Sequence, residues 1–235
     1  METKKLVFII LLVVIVGIAL IYFSSKKDEN LPEIAKLYEV VKIGDYVEYD
    51  CGKWNTNMPI PVGQGIFGGY NKNKSKSSSI TPYLEYENID DGWIVLEVKD
   101  NVVTLIHAGT PVAYFHKYGN SENSINMMNN FLEEEFYNKL YASSIRVLNY
   151  DDINNIIENK DIDANIISKI VKTGSWYWLG TAYNNSLIWS VNNLGIMDYR
   201  LADGSFGVRP VVELWNNVYY TSGDGTKDNP YIINR

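Results

Sequence analysis

Trp93-Ile94-Val95-Leu96-Glu97-Val98-Lys99-Asp100-Asn101-Val102-Val103-Thr104-Leu105-Ile106-His107 decides how the folded part of this 235-residue chain is built. Two runs, 93–98 and 102–107, are rich in aliphatic and β-branched residues, and Lys99-Asp100-Asn101 between them tolerates turn conformations. The pattern predicts a hairpin. Its apolar character is almost continuous, so the hairpin is expected at the centre of a sheet, covered on both faces.

Upstream, Gly44-Asp45-Tyr46-Val47-Glu48-Tyr49 alternates polar and apolar residues and reads as the first strand. Ile34, Leu37, Tyr38 and Val41 lie at helical spacing and predict a short stalk helix over 31–42. Positions 51–82 are rich in Gly, Asn, Lys, Ser and Pro. Within them, 71–79 reads as a loop that buries too little apolar surface to offset its ordering entropy. Downstream, Ile125, Met128, Leu132, Phe136 and Leu140 step by three and four, predicting a helix from about 124 to 141 whose outer face Glu133-Glu134-Glu135 partly crosses. A short strand over 145–148 follows. Asn149 or Asp151 then caps a second helix through 157, and Ile162, Ile166 and Ile170 mark a third that Gly174 terminates. The last sixty residues return to strands over 175–179, 187–191, 208–214 and 231–233. Strands, helices and strands again make an α+β fold: one mixed domain over 43–235, with antiparallel sheets and about three helices.

Residues 6–23 form an uncharged run, mostly Leu, Ile and Val, flanked by Lys4-Lys5 and Lys26-Lys27. As a helix it reaches about 27 Å at about 1.5 Å per residue, against about 30 Å for a bilayer core. It ends in the bulky Ile21-Tyr22-Phe23, unlike the small residues of a cleavage site, and no cysteine follows it as a lipoprotein signal requires. The expectation is a retained signal anchor: a cytoplasmic stub over 1–5, a single span over 6–23, a stalk over 24–42, and the domain outside the cell membrane. The partner of residues 6–23 is then the lipid bilayer itself. A type IV pilin start fits poorly, because no glycine precedes Phe8 and Pro32 interrupts the long helix such proteins use.

Without Lys4, Lys5 and Glu2, the remainder carries 19 basic and 27 acidic residues, a formal charge of −8. That balance argues against nucleic acid or anionic lipid as a partner through bulk charge. Cys51 is the single cysteine, so the fold must hold without an internal disulfide, which suits the outer face of a bacterial membrane. The 26 asparagines make the two glycosylation sequons, at Asn73 and Asn184, uninformative.

Further motifs lie in the closing strands: Tyr177-Trp178-Leu179-Gly180, Ile188-Trp189-Ser190-Val191, Gly207-Val208-Arg209-Pro210-Val211-Val212-Glu213-Leu214, Gly223-Asp224-Gly225-Thr226 and Asn229-Pro230-Tyr231-Ile232. With Gly44 to Tyr49, Gly92 to Leu96 and Ile145 to Asp152 in order, the set resembles a family of bacterial extracytoplasmic domains over roughly 43–233. The resemblance implies surface exposure on anchored, pilin-like or multidomain wall proteins, and brings no activity with it. The ending is also similar to formylglycine-generating-enzyme and C-type-lectin-like folds. This chain departs from both, lacking the lectins' paired cysteines and any cysteine near its end for copper chemistry. Neither activity follows from the likeness.

Trp189, Asn192 and Asn193 resemble the Trp-Asn-Asp element with which C-type lectins meet calcium and sugar, without the acid and at a different spacing. They are the candidate ligand-binding residues. Trp176, Trp178 and Trp189 are otherwise expected in the core, and their joint exposure would make a sugar-stacking platform. Asp224 and Asp228 are weak metal candidates, with a glycine-rich turn as the plainer reading. His107 and His116 do not make a zinc grouping, and no catalytic residue or cofactor is expected. Arg209, inside an apolar strand, needs a partner, for which Asp198 and Glu213 are the candidates. The expected function is an anchored cell-surface domain binding a protein or glycan partner. An envelope-acting enzyme and a pilus or secretion-apparatus subunit are the alternatives.

Overall fold

In the computed structural model, which describes residues 35–51, 83–86, 92–110, 112–115 and 120–235, the central hairpin forms as its sequence predicts. Strand β3 (Trp93–Lys99) pairs antiparallel with β4 (Val102–His107), and Asp100 and Asn101 turn the chain with φ of 51° and 65°. Two successive left-handed residues match the twist of the strands they join. Alternate side chains leave in opposite directions. Trp93, Val95, Val103 and Leu105 enter one core cluster; Ile94, Leu96 and Ile106 enter another. Both faces are covered.

Around the hairpin a seven-stranded sheet assembles from β1 (Tyr46–Glu48), β6 (Ala142–Val147), β11 (Pro210–Leu214), β12 (Tyr219–Ser222) and β13 (Tyr231–Asn234), in the order β12-β13-β1-β3-β4-β11-β6. A six-stranded sheet joins β2 (Tyr83–Tyr86), β5 (Val112–Phe115), β7 (Tyr177–Ala182), β8 (Leu187–Val191), β9 (Met197–Leu201) and β10 (Ser205–Val208), in the order β2-β5-β10-β7-β8-β9. The fold is α+β. The sheets are mixed where antiparallel ones are expected: β1 runs parallel to β13, and β7 to β10. Gly223 has φ +99°, and a Cβ there would lie 2.0 Å from the Pro230 carbonyl oxygen, so the closing glycine motif marks a tight approach of two chain segments.

Four helices lie among the described residues: α1 (Leu37–Val40), α2 (Ser121–Glu135), α3 (Tyr150–Glu158) and α4 (Ala164–Val171). The stalk helix predicted over 31–42 is, within the described residues, the single turn α1. Helix α2 starts and stops earlier than its apolar spacing implies. Asn120 caps it by accepting from the Asn123 amide at 2.9 Å. At the other end Glu133 and Glu134 lie in the last turn, near the negative pole of the helix, where acidic charge is unfavourable. The Tyr49 hydroxyl accepts from the Asn138 amide just beyond, at 3.2 Å. Met128, Leu132 and Phe136 are fully buried, while Leu140 falls outside the helix and is 54% exposed. Asn149 caps α3 in a reciprocal box with Asp152, and Asp163 caps α4. Helix α2 covers one face of the central hairpin; α3 and α4 cover the other through Ile153, Ile156 and Ile170.

The predicted strand over 208–214 is two strands in two sheets. Arg209 sits at the crossing, fully buried, and Pro210 opens β11, a place where its missing N–H costs little. Its guanidinium donates to the carbonyls of His107 (2.8 and 3.1 Å), Ala108 (3.3 Å) and Ile170 (2.6 Å), and lies 4.9 Å over the Tyr177 ring. Of the two acids considered for it, Asp198 instead pairs with Arg200 at 2.6 Å. Glu213 adds its charge to the field that holds Arg146 protonated beside Asp152. Arg209 therefore ties the ends of β4 and α4 to the point where the chain changes sheets.

The apolar run over 6–23, its flanks, the loop over 71–79 and His116 lie outside the described residues. Among the described residues no helix is long and apolar enough to cross a membrane.

Candidate functional site

Strand β9 is the last strand of the six-stranded sheet among the described residues, and it is one of the places where apolar side chains remain in solvent. Leu201 is 57% exposed, Tyr199 41%, and Tyr183, which packs beside it, 47%. The residues are fixed in spite of that exposure. Tyr199 stacks face to face on Tyr183, with centroids 4.2 Å apart and planes 8° apart. The Trp189 edge meets Tyr183, and Trp189 packs on Tyr150 at 4.7 Å. Beyond β9, Phe206 stacks on Trp176 at 5.2 Å and touches the buried Trp178 at 4.6 Å.

Between these two aromatic groups lies a pocket of about 570 Å³, inside the size range of small-molecule and side-chain sites. Leu187, Leu201 and Phe206 give it apolar walls, and Tyr199, Arg200 and Asp203 give it polar atoms. Asp203 Oδ1 is buried and has no hydrogen-bond partner among the described residues. An unsatisfied buried acceptor is uncommon in a native fold and invites a donor. Gly204 completes the floor, where a Cβ would come within 3.3 Å of the Trp178 indole.

Part of the outward backbone of β9 is already engaged by local partners. Ala202 N–H bonds back to Ser186, so the alternation of an antiparallel ladder turns the backbone groups of Tyr199 and Leu201 outward. The Tyr199 amide donates to Asp198 Oδ1 at 2.8 Å, its carbonyl accepts from Arg200 at 3.2 Å, and the Leu201 carbonyl accepts from the Gly204 amide at 2.9 Å. The Asp198–Arg200 ion pair closes this ring at 2.6 Å, and Arg200 lies 4.9 Å over Trp176. Charged side chains folded back on an edge are a recurrent protection against pairing with another chain.

Of the candidates read from sequence, Trp189 lies beside the pocket, half-buried, as a support of Tyr183 and Tyr199. Asn192 turns its side chain inward to accept from the amides of Leu194 and Ile196, shaping the β8–β9 turn, and Asn193 is exposed at its tip. Of the tryptophans expected in the core only Trp178 is fully buried; Trp176 and Trp189 are half-buried among aromatic neighbours. Asp224 accepts from the Thr226 amide at 3.0 Å, which with the Thr226 hydroxyl keeps its carboxyl below the usual range, and Asp228 is exposed. Among the described residues no three His, Cys, Asp or Glu side chains gather where a metal could sit. His107 is buried in an edge-to-face contact with Trp93, and its Nδ1 accepts from the Gly109 amide at 3.1 Å.

Tyr199, Arg200, Leu201 and Asp203 were not legible as a site. Met197-Asp198-Tyr199-Arg200-Leu201 does alternate strictly, which is the signal of a strand with one solvated face. Nothing in that pattern says that the apolar positions stay uncovered.

No protein-family model matches the chain, and no curated protein matches it.

Proposed function

We propose that this chain is a cell-surface binding module, held in the membrane by residues 6–23 with its N-terminus in the cytoplasm, and presenting the domain over 43–235 to a protein or glycan outside. The observation that carries the reading is the pocket at β9: apolar walls left in solvent, yet clamped by aromatic stacking beside an unsatisfied carboxylate oxygen. Exposed aromatics held rigid lose little entropy on contact, which is how recognition surfaces differ from loosely exposed apolar residues. The apolar run over 6–23, with its basic flanks, supports the anchor. The acidic domain supports a partner other than nucleic acid.

The test uses the full chain in intact cells, with a photo-reactive amino acid replacing Leu201 or, for comparison, Lys160, exposed just beyond α3. A covalent adduct formed from position 201 and not from 160 is expected, together with release of the domain when whole cells are treated with protease. Adducts from both positions alike, or a domain untouched by the protease, would sink the proposal.

A further inference from the structure

We infer that the domain carries a second face, built on Lys139, Leu140, Trp215 and Arg235, that lies on the anionic headgroups of a phospholipid bilayer; the inference rests on the anchor reading above and adds the surface that meets the lipid. Hydrogen bonds draw these residues together. The Trp215 indole N–H donates to the Lys139 carbonyl at 3.2 Å, and the Trp215 amide donates to the Tyr141 carbonyl at 2.9 Å. Arg235 donates to the Leu140 carbonyl at 2.8 Å and lies 5.2 Å over the Trp215 ring. The Lys139 ammonium lies 5.6 Å over the Tyr137 ring. Leu140 is 54% exposed and Trp215 39%, so an aliphatic side chain and an indole stay in solvent beside two exposed cations. That is the composition of a membrane–water interface, where indoles sit at headgroup level, long basic side chains keep their stems on apolar surface, and their charges meet phosphates.

The same face borders the place where the chain enters the fold. The Tyr220 amide donates to the Ala35 carbonyl at 3.2 Å, the Leu37 amide to the Val218 carbonyl at 2.9 Å, and the Val218 amide to the Trp215 carbonyl at 3.2 Å. Lys36, bridged to Tyr219, brings a third cation, 5.5 Å over the Tyr38 ring. Eleven residues, 24–34, separate the apolar run from Ala35. Fully extended they reach about 40 Å, at about 3.6 Å each, so a bilayer that holds the run keeps Ala35 and the face beside it within that distance. Such a tether raises the effective concentration of lipid at the face, and a weak contact suffices. The charge is locally reversed. The chain carries 21 basic against 28 acidic residues, yet Lys36, Lys139 and Arg235 gather here, with the Glu39 carboxylate turned onto the Lys36 amide at 3.1 Å. None of these residues lines the β9 pocket, which stays available to its own partner.

Full-length protein is reconstituted into vesicles of phosphatidylcholine, alone or mixed with phosphatidylglycerol, with a photo-reactive amino acid replacing Leu140 or, for comparison, Leu194, an apolar residue that is even more exposed at 63%. In the mixed vesicles, illumination should give at least fivefold more phospholipid adduct from position 140 than from 194. Lys139→Glu, at an exposed position, should cut the adduct from 140 at least threefold at an unchanged melting temperature. Omitting phosphatidylglycerol should do the same. Equal adduct from the two positions would overturn the face, as would adduct from 140 left unchanged either by Lys139→Glu or by omission of the anionic lipid. Chain that alkaline carbonate washes off the vesicles would overturn the anchor and this inference with it. Chain that resists the wash yet gives no lipid adduct from 140 would overturn the face and leave the anchor standing.

Discussion

Two hairpins of this molecule are built from the same kind of strand and do opposite things. In β3–β4 alternate residues go into two different cores, and Val95, Leu105 and Ile106 are removed from water completely. In β8–β9 the inner strand is buried through Ile188, Ser190 and Val191, while the outer strand leaves Tyr199 and Leu201 in solvent. Burial on both faces makes a hairpin structural. Apolar side chains held in place but left uncovered make the other one available for recognition. The turns show the same division: the inner one relies on two left-handed non-glycine residues, Asp100 and Asn101, whereas the outer one has Gly195 at φ +80° and an internal Asn192 cap.

The largest effect expected is at the crossing that ties the two sheets. Arg209→Ala strips donors from the buried carbonyls of His107, Ala108 and Ile170, and should destabilise the domain by about 3–5 kcal/mol in urea unfolding, since each orphaned buried group costs about 1–3 kcal/mol. A variant as stable as wild type would show that the sheets hold together without it. Next comes the direct comparison of the hairpins. Leu105→Ala should cost about 2–5 kcal/mol, the range for a fully buried leucine. Leu201→Ala should stay within about 0.5 kcal/mol, as surface changes usually do, while weakening whatever the pocket binds. Equal losses would erase the distinction between the two hairpins.

How much of this was legible follows the same line. The central hairpin could be read because burial on both faces writes itself into an unbroken apolar run, and Asn149 could be read as a cap because capping is local chemistry. The break at Arg209 could not, because Val208 and Val211 look alike in sequence and only the tertiary crossing assigns them to different sheets. Strands β2 and β5 were missed for a related reason: they are short, and their pairing comes from distant partners; β9 and β12, which pair with their sequence neighbours β8 and β13, were missed as well. The pocket was out of reach altogether. Trp189 was singled out from sequence and packs against Tyr150, Tyr183 and Tyr199, whereas Asp203 drew attention only when its environment left Oδ1 unpartnered.

Alkaline pH probes the buried side of the comparison. Burial raises the Tyr177 phenol above its ordinary 10.0, only partly offset by the Arg209 charge, and its hydroxyl donates to the Val171 carbonyl at 2.7 Å. Tyr49 is raised in the same direction by burial. The folded state therefore holds these protons where the unfolded chain gives them up. Their contribution is intact below about pH 10 and falls as pH rises beyond it. Urea midpoints measured from pH 8 to 11 should drop in the upper part of that range. Tyr177→Phe, which keeps the ring beneath Arg209, should flatten the drop.

The smallest change in stability is expected where the functional consequence is sharpest. Arg200→Ala removes an ion pair whose side chains are 44% and 33% exposed, so about 1 kcal/mol or less is at stake. The same substitution frees the Tyr199 carbonyl and loosens Asp198 from its place over the Tyr199 amide, leaving an apolar edge with open backbone groups. Such an edge pairs with its own kind. Sedimentation of the full chain in detergent should show Arg200→Ala associating at concentrations where wild type does not, with little shift in unfolding midpoint. Arg200→Lys should protect only partly, because an ammonium does not reproduce a guanidinium placed between a carboxylate and a carbonyl. If Arg200→Ala stays as monodisperse as wild type, the ion pair does not protect the edge.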